Sequence, residues 1–191
     1  MKPLELRGKK VTVVGLGNSG YNAAMLLVRQ GASVWATDAG SSQALAATAK
    51  KLEAAGAHVE TGSHTEAFVE GSELVVLSPG IEDASLPVKW AVERTIPLMG
   101  EMELGYRFCK GKVIGITGTN GKSTVTTLIG EILQAGGKNT VVCGNIGNSL
   151  CGEIDRITDR TWVVLEVSSF QLEKIECFSP HIALILNITD D

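Results

Sequence analysis

Two glycine-rich turns constrain this chain more than any other feature: VVGLGNSG at residues 13–20 and GITGTNGKST at residues 115–124. Each follows a β-branched run and opens an apolar segment of helical length. Each therefore marks a strand–turn–helix unit, the building block of a parallel α/β sheet. Glycine in such a turn lets backbone N–H groups at a helix N-terminus face a phosphate. Two of them in one chain imply two phosphate sites.

The same alternation runs the length of the chain. KVTVVG, SVWATD, HVET, ELVVLSPG and IPLMG read as strands. Between them lie the helical segments SGYNAAMLLVRQG, ending at Gly31, and SSQALAATAKKLEAAG, capped by Ser41 or Ser42 and stopped by Gly56. This pattern predicts a five-stranded, Rossmann-like doubly wound unit in residues 1–110. A helix, EMELGYRFC, leads to Gly111, where a second series begins: KVIGIT, the helix STVTTLIGEILQAGG, then NTVVCG, TWVVLEV and IALILNIT. IALILNIT reads as a central, fully apolar strand, which needs cover on both faces. Residues 111–191 are thus expected to be the N-terminal part of a truncated P-loop ATPase-type α/β domain.

A chain that is 44% hydrophobic and 20% charged can bury a sizeable core, and a formal net charge of −4 without a Lys/Arg block argues against nucleic acid or a membrane surface as partner. MKPLELRGKK lacks a signal-peptide apolar run and no segment reaches membrane-helix length, so a cytoplasmic location is expected. Cys109, Cys143, Cys151 and Cys177 are widely spaced, as expected of small buried hydrophobes rather than a zinc site.

In the first turn, Gly15, Gly17 and Gly20 satisfy GxGxxG, and Asp38 ends the next strand. Alone, this reads as a nicotinamide site, with Asp38 on the ribose, as a cradle for another nucleotide diphosphate, or as a purely structural glycine turn. Asp38 also reads as a helix cap or solvent-facing turn residue, and LSPG as an ordinary strand-to-helix turn. The second turn departs from GxxxxGK[ST], because Ile116 stands five before Gly121. Its mechanics survive: Gly118 and Gly121 turn N–H groups toward a phosphate, Lys122 can neutralise β and γ oxygens, and the Ser123 hydroxyl can ligate Mg²⁺. ATP is the expected ligand, with Gly118, Thr119, Asn120, Gly121, Lys122, Ser123 and Thr124 around it. Glu166 ends an apolar strand where a P-loop enzyme keeps its metal carboxylate; the alternative is a solvated strand-end glutamate.

TGTNGKST, CGNIGNSL, LEVSSFQLE and LILNITDD, in this order after a GLGxSG-type turn, resemble the Mur ligase family over essentially the whole chain. SSFQLE and NITDD point to its D-glutamate-adding branch. The resemblance implies a three-domain, monomeric, ATP- and Mg²⁺-dependent amide ligase. Its substrates would be UDP-N-acetylmuramoyl-L-alanine, activated as an acyl phosphate, and D-glutamate, in peptidoglycan precursor synthesis. It further implies that Lys122 and Glu166 are catalytic, that Ser123 and Glu166 hold Mg²⁺, and that Asn145 and Ser168 orient substrate. Asn18, Ser19 and Asp38, with the backbone of Ser78, Pro79 and Gly80, would hold the uridine diphosphate. Asn145 also reads as a left-handed turn residue beside Gly144, and Ser168 as a helix cap. The family's histidine after TDD, its carbamylated lysine and its C-terminal domain have no counterpart in these 191 residues, and His181 reads as a surface or packing residue. The chain alone is therefore expected to bind the UDP-sugar without ligase activity. The rival expectations are a sister ligase for another amino acid and an NAD-dependent oxidoreductase using GLGNSG.

Overall fold

The computed structural model describes residues 4–189. Its first half comprises β1 (Lys10–Val14), α1 (Asn18–Arg29), β2 (Ser33–Asp38), α2 (Gln43–Ala54), β3 (His58–Thr61), α3 (Glu66–Val69), β4 (Leu74–Leu77), α4 (Leu86–Glu93) and β5 (Leu98–Gly100). The strands are all parallel, in the order β3-β2-β1-β4-β5. β1 is central because its apolar residues tolerate burial on both faces: Val11, Val13 and Val14 are fully buried. The order reverses between β1 and β4, which opens a crevice at the C-terminal ends of these two strands. The first glycine turn leaves β1 there.

The second half comprises α5 (Glu101–Phe108), β6 (Lys112–Thr117), α6 (Lys122–Ala135), β7 (Thr140–Gly144), α7 (Leu150–Glu153), β8 (Trp162–Glu166), α8 (Ser169–Leu172) and β9 (Ile182–Ile185). Its parallel sheet has the order β7-β8-β6-β9. The chain is thus α/β throughout, with two parallel sheets.

Helix α5 belongs to both halves. Leu104 packs into the first core and Met102 into the second, while Cys151 of α7 reaches back into the first. A Cβ on Gly105 would lie 2.9 Å from Leu150, so a side chain there would push α7 off α5. The buried Glu103 carboxylate accepts N–H groups from Cys177 and Phe178, both at 2.9 Å, and Arg107 Nε at 2.6 Å.

Three sequence expectations change. Strand 73–80 shortens to Leu74–Leu77, because residues 78–80 make the turn at the crevice. The unexpected helix α4 has a proline in its first turn, Pro87, where the missing N–H costs nothing. Segment 182–189 forms a shorter strand than expected: among the described residues only Ile182–Ile185 pairs, parallel to β6, with Ile182 46% and Ile185 67% exposed. Asp190 and Asp191 of NITDD lie outside the described residues. His181 is an exposed residue, its ring nitrogen accepting the Val113 N–H at 3.2 Å.

Candidate active site at two phosphate turns

Helix α1 starts at Asn18 with Gly17 as N-cap, no capping side chain and no acidic residue in its first turn. Its first N–H groups are therefore open to an external anion. Ser19 is half-buried in that turn. A Cβ on Gly20 would fall 1.7 Å from the Gly15 carbonyl oxygen and 2.4 Å from Ser78 Oγ, so only glycine fits. A Cβ on Gly17 would meet nothing within 4 Å. The space beside Gly17 faces a groove of 480 Å³ lined by Leu16, Asn18, Tyr21, Asp38, Ser42 and Thr48 among others.

Asp38 braces this turn. Its Oδ2 accepts the Leu16 N–H at 2.6 Å and its Oδ1 the Gly40 N–H at 2.7 Å. It does not cap α2; Ser42 does, accepting from Leu45 N at 3.2 Å. Ser78 Oγ donates to the Gly15 carbonyl at 2.7 Å, so LSPG buttresses the glycine turn from β4. Ser78, Pro79 and Gly80 line a different space from Asn18 and Asp38, a cleft of 320 Å³ whose other wall carries Glu101, Phe170, Gln171 and Lys174. Lys174 pairs with Asp83 at 2.7 Å across that cleft. Burial pushes the Glu101 carboxyl above its ordinary pKa, although the Cys151 N–H at 2.9 Å opposes this. It also pushes the Cys143 and Cys151 thiols well up, leaving them unreactive.

The second turn leaves β6. Gly121, at φ +84°, is the N-cap of α6, a conformation that side chains strain to adopt. Lys122 Nζ donates to the carbonyls of Gly118 at 2.7 Å and Thr119 at 3.0 Å, lying across its own loop. Ser123 and Thr124 are exposed. The Thr119 N–H donates to the Asn187 carbonyl at 3.1 Å and the Asn120 N–H to Asn187 Oδ1 at 2.8 Å. Asn187 Nδ2 in turn donates to the Asn120 carbonyl at 3.0 Å. The expectation that the whole loop offers N–H groups to a nucleotide thus narrows to Gly121–Thr124, because Thr119 and Asn120 are already satisfied. Sequence reasoning gave Asn187 no role of its own, although it opens the NITDD motif.

Glu166 is 2% exposed, not a solvated strand-end residue. It pairs in register with Ile116 of β6 and Gly144 of β7, so it stands between the loops that follow them. Its Oε1 accepts Asn145 Nδ2 at 3.3 Å, while Oε2 has no hydrogen-bond partner among the described residues. A buried carboxylate oxygen left unpaired is costly without a cation. An unpaired Glu oxygen close to a loop that carries the Ser123 hydroxyl is a hard-oxygen set of the kind Mg²⁺ takes, so the residues fit that ion. Gly144, not Asn145, holds the left-handed conformation, at φ +112°. Ser168 is buried at the start of α8, its N–H donating to Gln171 Oε1 at 3.0 Å, which gives it a capping place in the fold.

Comparisons with known proteins cover the same two halves of the chain. The model of the Mur ligase MurD-like N-terminal domain matches residues 9–100, and that of the Mur ligase middle domain matches residues 116–191. A UDP-N-acetylmuramoylalanine–D-glutamate ligase from Desulfosudis oleivorans is 46% identical over 100% of this chain, which covers 42% of that protein. A protein of the same name from Koribacter versatilis is 48% identical over 98% of this chain and 42% of its own. The chain therefore spans well under half the length of these curated relatives. Among solved structures, UDP-N-acetylmuramate-alanine ligase from Thermotoga maritima superposes with a TM-score of 0.58 at 21% identity, covering 96% of this chain and 42% of the other. That likeness shows the fold alone. Two domain models side by side over the two sheets, with relatives above 40% identity along the whole chain, establish that the chain belongs to the Mur ligase family.

Proposed function

We propose that these residues serve an ATP-dependent amide ligase that joins D-glutamate to UDP-N-acetylmuramoyl-L-alanine in the cytoplasm. We also propose that they divide into a UDP-substrate unit, residues 1–110, and the first part of an ATP unit, residues 111–191. The observation that carries this reading is the unpaired Glu166 oxygen beside the Lys122 loop, at the same crevice end of the fold as the open Gly17 turn. Curated relatives bearing the name of that activity support the choice of substrates.

In this reading the uridine diphosphate enters the groove of Asn18 and Asp38. Its diphosphate lies over Gly17 on the α1 N-terminus, with Ser19 nearby. The sugar and its L-alanine arm follow the cleft past Ser78, Pro79 and Gly80 toward Asn145 and Ser168. Lys122 exchanges its two loop carbonyls for β and γ oxygens of ATP, which adds positive charge where two anions must meet. N–H groups of Gly121 to Thr124 receive the remaining phosphate oxygens. Ser123 and Glu166 would hold Mg²⁺, which would supply further neutralisation there. The alanine carboxylate attacks the γ-phosphorus and ADP leaves; the D-glutamate amine then attacks the acyl phosphate, loses a proton and expels phosphate.

Calorimetric titration of the chain with UDP-MurNAc-L-Ala beside NADH tests the assignment. The UDP-sugar is expected to bind and NADH not to. Binding of NADH alone would remove the ligase reading and restore the nicotinamide alternative.

A further inference from the structure

A cluster of side-chain amides joins the first phosphate helix to the loop that carries Asn145. Asn22, four residues after Asn18 on α1, directs its Nδ2 at Asn18 Oδ1 (3.3 Å), Asn148 Oδ1 (3.3 Å) and Ser149 Oγ (3.2 Å). Its two hydrogens are thus shared among three acceptors. Asn148 Nδ2 donates to Glu153 Oε1 at 2.8 Å, and the other Glu153 oxygen accepts Arg156 Nη1 at 2.7 Å. Glu153 is 5% exposed and, as a carboxylate, only accepts; it therefore fixes the amide of Asn148 with its carbonyl toward α1. Gly152 permits the approach, since a Cβ there would lie 2.7 Å from Asn22 Nδ2.

Asn148 is also the closing residue of the loop. Its carbonyl accepts the Gly144 N–H at 2.9 Å, while Asn145 donates its N–H to the Glu166 carbonyl at 3.0 Å. The loop is therefore pinned to Glu166 at one end and to α1 at the other. We propose that Asn22 and Asn148 are positioning residues that hold the Asn145 loop against the diphosphate helix, setting the span that one ligand must bridge. This rests on the reading that the UDP end sits on α1 and the alanine end near Asn145. The two residues share the Asn22–Asn148 contact, while Asn22 also holds Ser149 and Asn148 also accepts from Asn18 Nδ2 at 3.5 Å, so each variant loosens the same span without freeing it fully.

The test uses the 191-residue chain with Asn22→Ala, Asn148→Ala and the double variant. In the ligand-free state, amide exchange at Gly144 and Asn145 is expected to quicken about fivefold in all three, the factor that a hydrogen bond of about 1 kcal/mol carries. In calorimetry, affinity for UDP is expected to stay within about twofold of wild type. The preference for UDP-MurNAc-L-Ala over UDP falls about fivefold in each single variant, and in the double by less than the product of the two, because they share the Asn22–Asn148 contact. Unchanged exchange in the single variants overturns the clamp whatever the ligands do. An equal loss for UDP, or a double loss equal to the product of the singles, overturns the positioning role. A wild-type chain that binds neither ligand overturns the substrate reading itself and the role built on it, while the exchange result still reports separately on the clamp.

Discussion

The two glycine turns look interchangeable in the sequence and are supported in different ways. GLGNSG is braced from within its own sheet: Asp38 from β2 holds the Leu16 N–H, Ser78 after β4 holds the Gly15 carbonyl, and Gly20 packs without space for a methyl. The loop of Lys122 is braced by Asn187, just beyond β9, and by its own lysine. The first turn is held from two strands and lacks a cation; the second carries its cation and leans on Asn187. A braced, uncharged turn suits a diphosphate that is only held. A turn whose lysine can move suits a phosphate that is transferred.

The largest expected effect separates two glycines of the first turn. Gly20→Ala forces a Cβ into the Gly15 carbonyl and should cost more than about 3 kcal/mol, at the top of the range for overpacking, measured by urea denaturation. Gly17→Ala should cost less than about 1 kcal/mol in the same experiment, while UDP affinity falls because the methyl occupies the open side. Equal losses of stability would erase the idea that one glycine serves packing and the other a ligand.

Next in size is Lys122→Ala. Removing the ammonium should weaken Mg·ATP binding by at least about tenfold and leave UDP-MurNAc-L-Ala binding nearly intact, both read by calorimetry. Loss of both ligands together would mean that the turns are not separate sites. Asn187→Ala should act in the same direction but less, about fivefold on ATP, because it loosens the loop without removing a charge. No change would show that the brace of the second turn is its lysine alone.

The smallest effect concerns Glu101 in the cleft between the sheets. Its carboxyl is held above the ordinary value by burial, so the folded chain binds that proton more tightly than the unfolded one. Its contribution to stability is therefore full below the ordinary glutamate range and declines as pH rises through the raised folded pKa. Glu101→Gln keeps an acceptor for the Cys151 N–H and removes this dependence. Melting curves of the two proteins should coincide in acid and separate toward neutral pH, with the variant higher. A gap that narrows with rising pH would contradict this.

Much of the fold was legible because its signals are local. β-Branched runs, Gly31 and Gly56 after helices, and the Ser42 cap each act within a few residues, so element types and most boundaries followed. α4 escaped because Pro87 reads as a breaker unless the helix start is already known. Lys122 and Glu166 could be picked out from motif and strand end. The roles of Asn187, Asn22 and Asn148 could not, although Asn148 and Asn187 lie in the quoted motifs CGNIGNSL and LILNITDD, since an amide names no partner until the residue 67 or 126 positions away is in place.

By itself, then, the sequence determined two parallel α/β units, two glycine turns between strand and helix, and the family. Periodicity and turn chemistry are properties of neighbours along the chain. Tertiary structure alone decided that Asp38 and Ser78 brace the first turn, that Asn187 occupies two N–H groups of the second, and that one oxygen of Glu166 is left without a partner. Hydrogen-bond satisfaction and burial are properties of neighbours in space, and β-sheet order rather than residue order chooses them.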